Sequence, residues 1–187
     1  MRALPNMTVV CPADSASTEA LLEEIVKFDG PVYMRLGRYA VPQFYTKGEQ
    51  EFKLGKGIVL ADGKDVTIVA TGLMVSMALE AKEMLAEEGI DARIINIHTI
   101  KPIDKEILAK AAEETGALVT AEEHNIIGGL GAAVTEAICE TCPVPVIRVG
   151  MNDTYGHSGT VPALLEAYGL TPAKIAEAAK KAISMKK

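Results

Sequence analysis

The sequence predicts an α/β fold with a doubly wound, mostly parallel sheet. Short runs rich in β-branched residues alternate with longer stretches of helical periodicity, which is the pattern of successive βαβ units. Many of the periodic stretches also begin at a capping residue or end at a glycine. The chain has 187 residues, of which 49% are hydrophobic and 24% charged. This length and composition predict a packed core and allow one large domain, or one domain with part of another.

The first part of the chain, residues 1–45, contains a single predicted βαβ unit. Its elements are a strand at 8–10, a helix at 17–28 and a strand at 32–35. One such unit has too few strands to enclose a core. Residues 46–64 are rich in glycine and scattered charges, and are predicted as a linker with a short strand near 57–60. We therefore expect a domain boundary in this linker.

Residues 65–187 are predicted as one complete α/β domain. Strands are expected at 66–70, 93–97, 117–121 and 144–149. Helices are expected at 74–88, from the N-cap Asp104 to 115, near 130–139 and 161–167, and after the N-cap Thr171. Gly89 and Gly116 follow two of these helices, where a residue in the left-handed conformation would end them. The domain should therefore have helices on both faces of its sheet.

Charge and hydropathy exclude some classes of partner. The net charge is −6 and the only basic cluster lies at the C-terminal end, which argues against nucleic acid. No uncharged run is long enough to predict a membrane span, and the first residues do not resemble a secretory signal. The odd number of cysteines, 3, is more typical of a reducing compartment than of a disulfide scaffold. The sequence therefore predicts a soluble, cytoplasmic protein.

Two motifs resemble ligand sites but have an ordinary structural explanation. The segment 127–133, IGGLGAA, lies between a predicted strand and a predicted helix, where glycine-rich loops bind phosphate. Residue 134 is Val, so the G-x-G-x-x-G spacing fails, and we favour glycines that let the helix pack close to the sheet. Cys139 and Cys142 have C-x-x-C spacing, but a zinc site needs four ligands and no second pair is present. We favour two ordinary thiols.

Three side chains are candidate ligand-binding residues. Glu122 and His124 follow a predicted strand at the sheet edge where α/β proteins bind ligands, and they combine a carboxylate with a titratable imidazole. Solvated loop side chains are the alternative for both. Arg38 lies just past the strand at 32–35, where a guanidinium can bind phosphate through two hydrogen bonds. A surface ion pair is the alternative. The sequence identifies neither a catalytic group nor a set of metal ligands.

Five segments, taken in order, resemble the C-terminal part of transketolase. They are LPNMTVVCPAD, GPVYMRLGRYAVP, GKDVTIVATG, AEEHNIIGGLGAAVTE, and GHSG followed by LLEAYGLTPAKI. The resemblance covers nearly the whole chain and is closest to transketolases that are split into two polypeptides. Residues 65–187 then correspond to a complete transketolase C-terminal domain. Residues 1–45 resemble only the end of the pyrimidine-binding domain, so we expect the chain to be truncated at its N-terminus.

The resemblance implies a function for the intact enzyme. Transketolases bind thiamine diphosphate and Mg²⁺ and transfer a two-carbon ketol unit between ketose and aldose phosphates, as in the pentose phosphate pathway. Arg38 matches the family's phosphate-binding arginine. The residues that grip and activate the cofactor match positions upstream of Met1 or in the N-terminal subunit. We therefore expect this chain alone to be inactive and free of cofactor. Its expected contributions are structure, dimer contacts and Arg38, and its expected partners are the N-terminal subunit and other copies of itself.

Two alternatives stay open at this point. One is a free-standing regulatory or small-anion-binding module that uses the loop at 122–131. The other is the equivalent part of deoxyxylulose-phosphate synthase or of a 2-oxo acid dehydrogenase β subunit, which share this domain order. The segments AEEHNIIGGLG and GHSG favour transketolase over these relatives.

Overall fold

A computed structural model describes residues 1–186, which form two β-sheets flanked by helices. The strands are β1 Thr8–Val10, β2 Val32–Met34, β3 Ile58–Ala61, β4 Val66–Ala70, β5 Ala92–Asn96, β6 Thr99–Lys101, β7 Leu118–Asn125 and β8 Val146–Met151. The helices are α1 Ser15–Lys27, α2 Met74–Glu87, α3 Lys105–Thr115, α4 Leu130–Ile138, α5 Val161–Ala167 and α6 Pro172–Ser184. Within residues 1–186, no helix combines the length and the apolar character that crossing a bilayer requires.

The larger sheet has the strand order β3-β5-β4-β7-β8 and confirms the predicted doubly wound fold. Strands β5, β4, β7 and β8 are parallel, and β3 pairs antiparallel with β5 at the edge. Ile68 of β4 packs in a core with α2 and α6, whereas Val69 packs with α3 and α4 on the other face. All five residues of β4 are buried because helices cover both faces of the sheet.

The predicted βαβ unit forms part of a second, three-stranded sheet with the order β2-β1-β6. Strand β1 is parallel to β2 and antiparallel to β6, which belongs to the later part of the chain. The sequence did not predict β6, which is three residues long and gives no alternation to read. Val10, Leu21, Tyr45 and Phe52 form a small core beneath this sheet. The first unit is therefore packed against the rest of the chain.

Local chemistry explains where the helices begin and end. Helix α1 begins at Ser15, two residues before the predicted start, because Asp14 is its N-cap and forms a capping box with Ser17. Asp104 caps α3 as predicted, and its carboxylate accepts from the backbone N–H of Ile107. Gly116 ends α3 with φ of 66°, a left-handed conformation that glycine adopts without strain.

Strand β7 differs most from its predicted bounds. Strand β7 continues to Asn125, four residues beyond the predicted end, because Asn125 pairs with Met151 after an irregularity in the register. The expectation that Glu122 and His124 lie in a loop is therefore wrong, since both belong to β7. Strand β3 of the predicted linker joins the larger sheet. The division into residues 1–45, 46–64 and 65–187 stays a prediction.

Candidate functional site

A cleft of about 180 Å³ lies where the carboxyl ends of four strands meet. Strands β1 and β2 contribute the residues that follow them, and β4 and β7 approach from the larger sheet. In α/β proteins, ligand sites lie at such carboxyl ends. The polar residues that line the cleft include Arg2, Cys11, Arg35, Thr71, Glu123 and His124. The cleft therefore lies between the N-terminal βαβ unit and the larger sheet.

Arg35 links the end of β2 to β7 through Glu123. Its Nη2 donates to the Glu123 carbonyl oxygen at 2.8 Å, and its Nη1 donates to Glu123 Oε2 at 3.3 Å. Both side chains are about one-third exposed. The Cys11 thiol lies beside Arg35 and is buried. Burial raises the pKa of Cys11, although Arg35 acts in the opposite direction, so this cysteine is not an activated thiolate.

Arg38 lies three residues beyond Arg35 in an exposed segment. Among residues 1–186, its guanidinium has no hydrogen bond or ion pair. The neighbouring Gly37 and Tyr39 line a second, more open groove of about 600 Å³, whose other wall includes Asp14 and Leu22. Arg38 itself does not line the cleft beside Arg35. Arg38 does not line this groove either, although the residues on both sides of it do.

Glu122 is buried and binds the beginning of α4. Its Oε2 accepts from the backbone N–H of Leu130 at 2.7 Å, and its Oε1 accepts from that of Gly131 at 2.8 Å. Burial raises the pKa of Glu122, and these two N–H groups partly oppose that effect. The N–H groups that would bind an external anion at a helix N-terminus are thus occupied by the chain's own carboxylate. This arrangement disfavours the small-anion module.

The glycine-rich loop has a steric role beside this carboxylate. A Cβ at Gly129 would lie 1.8 Å from Glu122 Oε2, and one at Gly131 would lie 2.9 Å from Thr120 Oγ1. The glycines therefore allow α4 to approach the sheet, as the failed G-x-G-x-x-G spacing indicated.

His124 and Glu122 are neighbours without forming an acid–base pair. His124 Nδ1 lies 2.7 Å from the Asn125 carbonyl oxygen but 3.9 Å from Glu122 Oε2. The His124 side chain is exposed at the cleft, whereas Glu122 is committed to α4. Only His124 of the two is therefore available to a ligand.

The described chain lacks the groups that a metal site requires. Cys139 is exposed, Cys142 is half-buried, and both are free thiols. Across residues 1–186, no three His, Cys, Asp or Glu side chains are grouped so that they could hold a metal ion. These residues consequently do not fit a Mg²⁺ site, and none of them is assigned to one.

Sequence reasoning missed the Arg35–Glu123 pair because its members are 88 residues apart. The sequence shows both charges near strand ends, but it does not show that the two strands belong to different sheets that meet at one cleft. It did place Arg38 correctly in the segment that follows β2.

Comparisons with known proteins show which family this chain belongs to. The family description "Transketolase, C-terminal domain" matches residues 55–175, and "Transketolase, pyrimidine binding domain" matches residues 1–43. A 6-deoxy-6-sulfo-D-fructose transketolase subunit from Clostridium sp. (strain MSTE9) is 48% identical over 96% of this chain and 55% of its own length. An apulose-4-phosphate transketolase subunit from Phocaeicola vulgatus is 45% identical over 91% of this chain and 54% of its own length.

A solved structure resembles the whole chain. It is described as a split gene transketolase, inactive beta4 tetramer, and superposes with a TM-score of 0.95 at 50% identity, covering 100% of this chain and 60% of that one. A 1-deoxy-D-xylulose-5-phosphate synthase from Heliobacterium modesticaldum is less similar, at 37% identity over 96% of this chain and 28% of its own length. The chain spans about half the length of the curated subunits it matches. It belongs to the transketolase family and corresponds to the C-terminal section of the family's split members.

Proposed function

We propose that this chain is part of a thiamine-diphosphate-dependent ketol transferase whose sugar substrates carry a terminal anion, and that Arg38 binds this anion. The reaction class is the transfer of a two-carbon unit from a ketose to an aldose. Two related subunits are named for 6-deoxy-6-sulfo-D-fructose and apulose 4-phosphate, which carry a sulfonate and a phosphate. Both groups present three oxygens to a guanidinium, which supports a shared mode of recognition.

The contrast between the two neighbouring arginines carries the proposal. Arg35 is held by Glu123 and faces the cleft, whereas Arg38 is exposed and has no partner within residues 1–186. An arginine without a protein partner at the carboxyl end of a parallel strand has its planar donors free for an oxyanion. The resemblance of LGRYAVP to the family also implies that Arg38 corresponds to the family's phosphate-binding arginine.

Arg38 would act on the end of the substrate that does not react. Holding the terminal anion places the rest of the sugar in a defined orientation, so that binding energy from a remote group is used to position the reacting carbons. Thiamine diphosphate, when bound, supplies the carbanion chemistry. Residues 1–186 contain no group of side chains that would hold a metal ion for its diphosphate. The proposed role of this chain is therefore to orient the sugar.

Assembly with other polypeptides is part of the same proposal. An N-terminal transketolase subunit would supply the groups that bind the cofactor diphosphate. Further copies of this chain would add contacts, and the related split transketolase is described as a tetramer of one subunit. Exposed apolar residues of α1 and of the segment after β2 support such contacts. They include Leu22, Val26 and Leu36, which are 51%, 78% and 60% exposed.

The test is Arg38→Ala in the complete C-terminal subunit assembled with its N-terminal partner. We expect kcat/KM for fructose 6-phosphate and 6-deoxy-6-sulfo-D-fructose to fall by about one to two orders of magnitude, the scale of a charge-assisted contact. The value for fructose should stay unchanged. Arg148→Ala, at an exposed arginine of β8, controls for the loss of positive charge. An equal loss for anionic and neutral sugars would overturn the assignment of Arg38.

A further inference from the structure

The segment that carries Arg38, residues 36–42, is held only at its two ends. The backbone N–H of Arg35 donates to the Val10 carbonyl at 2.8 Å and makes the last bond of the β1–β2 ladder. Residues 36–42 make no backbone hydrogen bond with any other part of residues 1–186. The chain is fixed again at Phe44 and Tyr45, whose N–H groups donate to Asp14 Oδ2 at 3.2 and 2.9 Å. The position of Arg38 therefore depends on the two anchors.

Glu123 supports the first of these anchors from outside the βαβ unit, by binding the side chain of Arg35. It binds the Arg35 guanidinium through both its carbonyl oxygen and its carboxylate, at 2.8 and 3.3 Å. The same carboxylate also lies beside the segment, since a Cβ at Gly37 would be 3.7 Å from Glu123 Oε2. A residue of β7 thus lies beside the segment just before Arg38.

The charge of Glu123 has a second effect. It neutralises Arg35, so that Arg38 is left as a cation at this strand end with no partner among residues 1–186. Without the Glu123 carboxylate, Arg35 would keep only its hydrogen bond to the Glu123 carbonyl oxygen at 2.8 Å, and its charge would lose its partner. Ordering a mobile side chain and loop on binding lowers affinity, so a fixed segment favours the bound state.

We infer that Glu123 is a positioning residue that acts through Arg35 on Arg38 and so raises the affinity for the terminal anion of the sugar. The inference rests on the proposed function of Arg38. It gives the C-terminal domain a direct part in substrate selection, through a contact that crosses from the larger sheet to the smaller one.

The experiment compares Glu123→Ala and Glu123→Gln in the complete subunit assembled with its N-terminal partner. We expect Glu123→Ala to raise KM for fructose 6-phosphate about five- to tenfold, the scale of one lost hydrogen bond, with kcat within about twofold. The KM for fructose should not change. Glu123→Gln keeps an oxygen that accepts from Arg35, so it should recover most of the affinity. Glu136→Ala is the matched control, because Glu136 pairs with Arg2 away from this segment.

A double-mutant cycle separates this inference from the proposed function. If Glu123 acts through Arg38, Glu123→Ala should change nothing further in an Arg38→Ala background. Additive losses, or no loss from Glu123→Ala alone, would overturn the inference while leaving the role of Arg38 intact. Failure of Arg38→Ala to reduce the preference for anionic sugars would instead overturn the proposed function.

Hydrogen exchange of the 187-residue chain gives a readout that needs no activity. The Arg35 amide, which donates to the Val10 carbonyl at the first end of the segment, should exchange faster in Glu123→Ala than in the wild type or in Glu136→Ala. Peptides covering β4 and β5 should keep their protection, which shows that the variant is folded. If Glu123→Ala does not fold, Arg35→Lys tests the same link, because lysine cannot make the two divergent bonds of the guanidinium. Unchanged exchange of the Arg35 amide would contradict the inference.

Discussion

Glu122 caps α4 through Leu130, whose backbone N–H donates to Glu122 Oε2 at 2.7 Å. The second oxygen accepts from the next N–H, that of Gly131, at 2.8 Å. Gly129, at the N-cap position of α4, has no side chain that could do this. The carboxylate of a strand residue therefore accepts hydrogen bonds from the free N–H groups at the start of α4. These bonds fix α4 against β7 at the floor of the cleft.

Removing the Glu122 carboxylate should destabilise the chain. Glu122→Ala leaves two buried N–H groups without acceptors, so we expect the free energy of unfolding to fall by about 2–4 kcal/mol. Glu122→Gln keeps one acceptor oxygen and should lose about half as much. Glu113→Ala, at an exposed carboxylate of α3, should stay within about 0.5 kcal/mol of the wild type. Urea unfolding followed by circular dichroism measures all three. An effect of Glu122→Ala as small as the control's would refute the cap.

Gly129 should not tolerate a methyl group while Glu122 is present. An alanine Cβ at this position would lie 1.8 Å from Glu122 Oε2, which forces the carboxylate or α4 to move. We expect Gly129→Ala to cost about 2–3 kcal/mol, the cost of an overpacked site. The same substitution should cost clearly less in a Glu122→Ala background, where the clashing group is gone.

Gly128→Ala is the matched control for this cycle. Gly128 has φ of 76°, and no atom would lie within 4 Å of a Cβ at this position. An alanine here would therefore introduce backbone strain but no clash. Its cost of about 1–2 kcal/mol should not depend on Glu122. Equal costs for Gly129→Ala with and without Glu122 would show that the clash is not the cause.

Local signals predicted most of the fold. The N-cap Asp104 and the stop Gly116 bound α3 where the sequence placed it, because each acts on its own helix turn. Strand β6 and the end of β7 were missed, since both exist through pairing with distant residues. Thr99 of β6 pairs with Val10, and Asn125 of β7 pairs with Met151.

The site was predictable only in part for the same reason. Arg38 follows a strand, which the sequence shows. The two hydrogen bonds that Glu122 accepts depend on how α4 packs against β7. The sequence does not show this packing. Gly129 and Gly131 are the one local signal, because two glycines at the start of a helix indicate that something approaches closely. Nothing in the sequence indicates that the group approaching these glycines is a carboxylate.

His98 should make stability depend on pH in a defined window. Its ring is fully buried against Phe52, with centroids 5.4 Å apart, and Nδ1 lies 3.0 Å from Thr99 Oγ1. Burial lowers the pKa of His98 from 6.5 to about 4, although Asp104 acts in the opposite direction. Between these two values the unfolded chain binds the proton and the native chain does not. The contribution of the neutral histidine is therefore complete above pH 6.5 and is lost as the pH falls towards 4.

This predicts a difference in slope between the wild type and His98→Gln. Between about pH 7 and pH 4, the wild type should lose about 3 kcal/mol more of its free energy of unfolding than the variant, whose side chain does not titrate. Comparing the two removes the acid titration of the carboxylates, which both chains share. His157→Gln, at an exposed histidine, is the control and should follow the wild type. Urea unfolding at half-unit pH intervals measures the slopes, and parallel curves for the wild type and His98→Gln would show that burial does not hold His98 neutral.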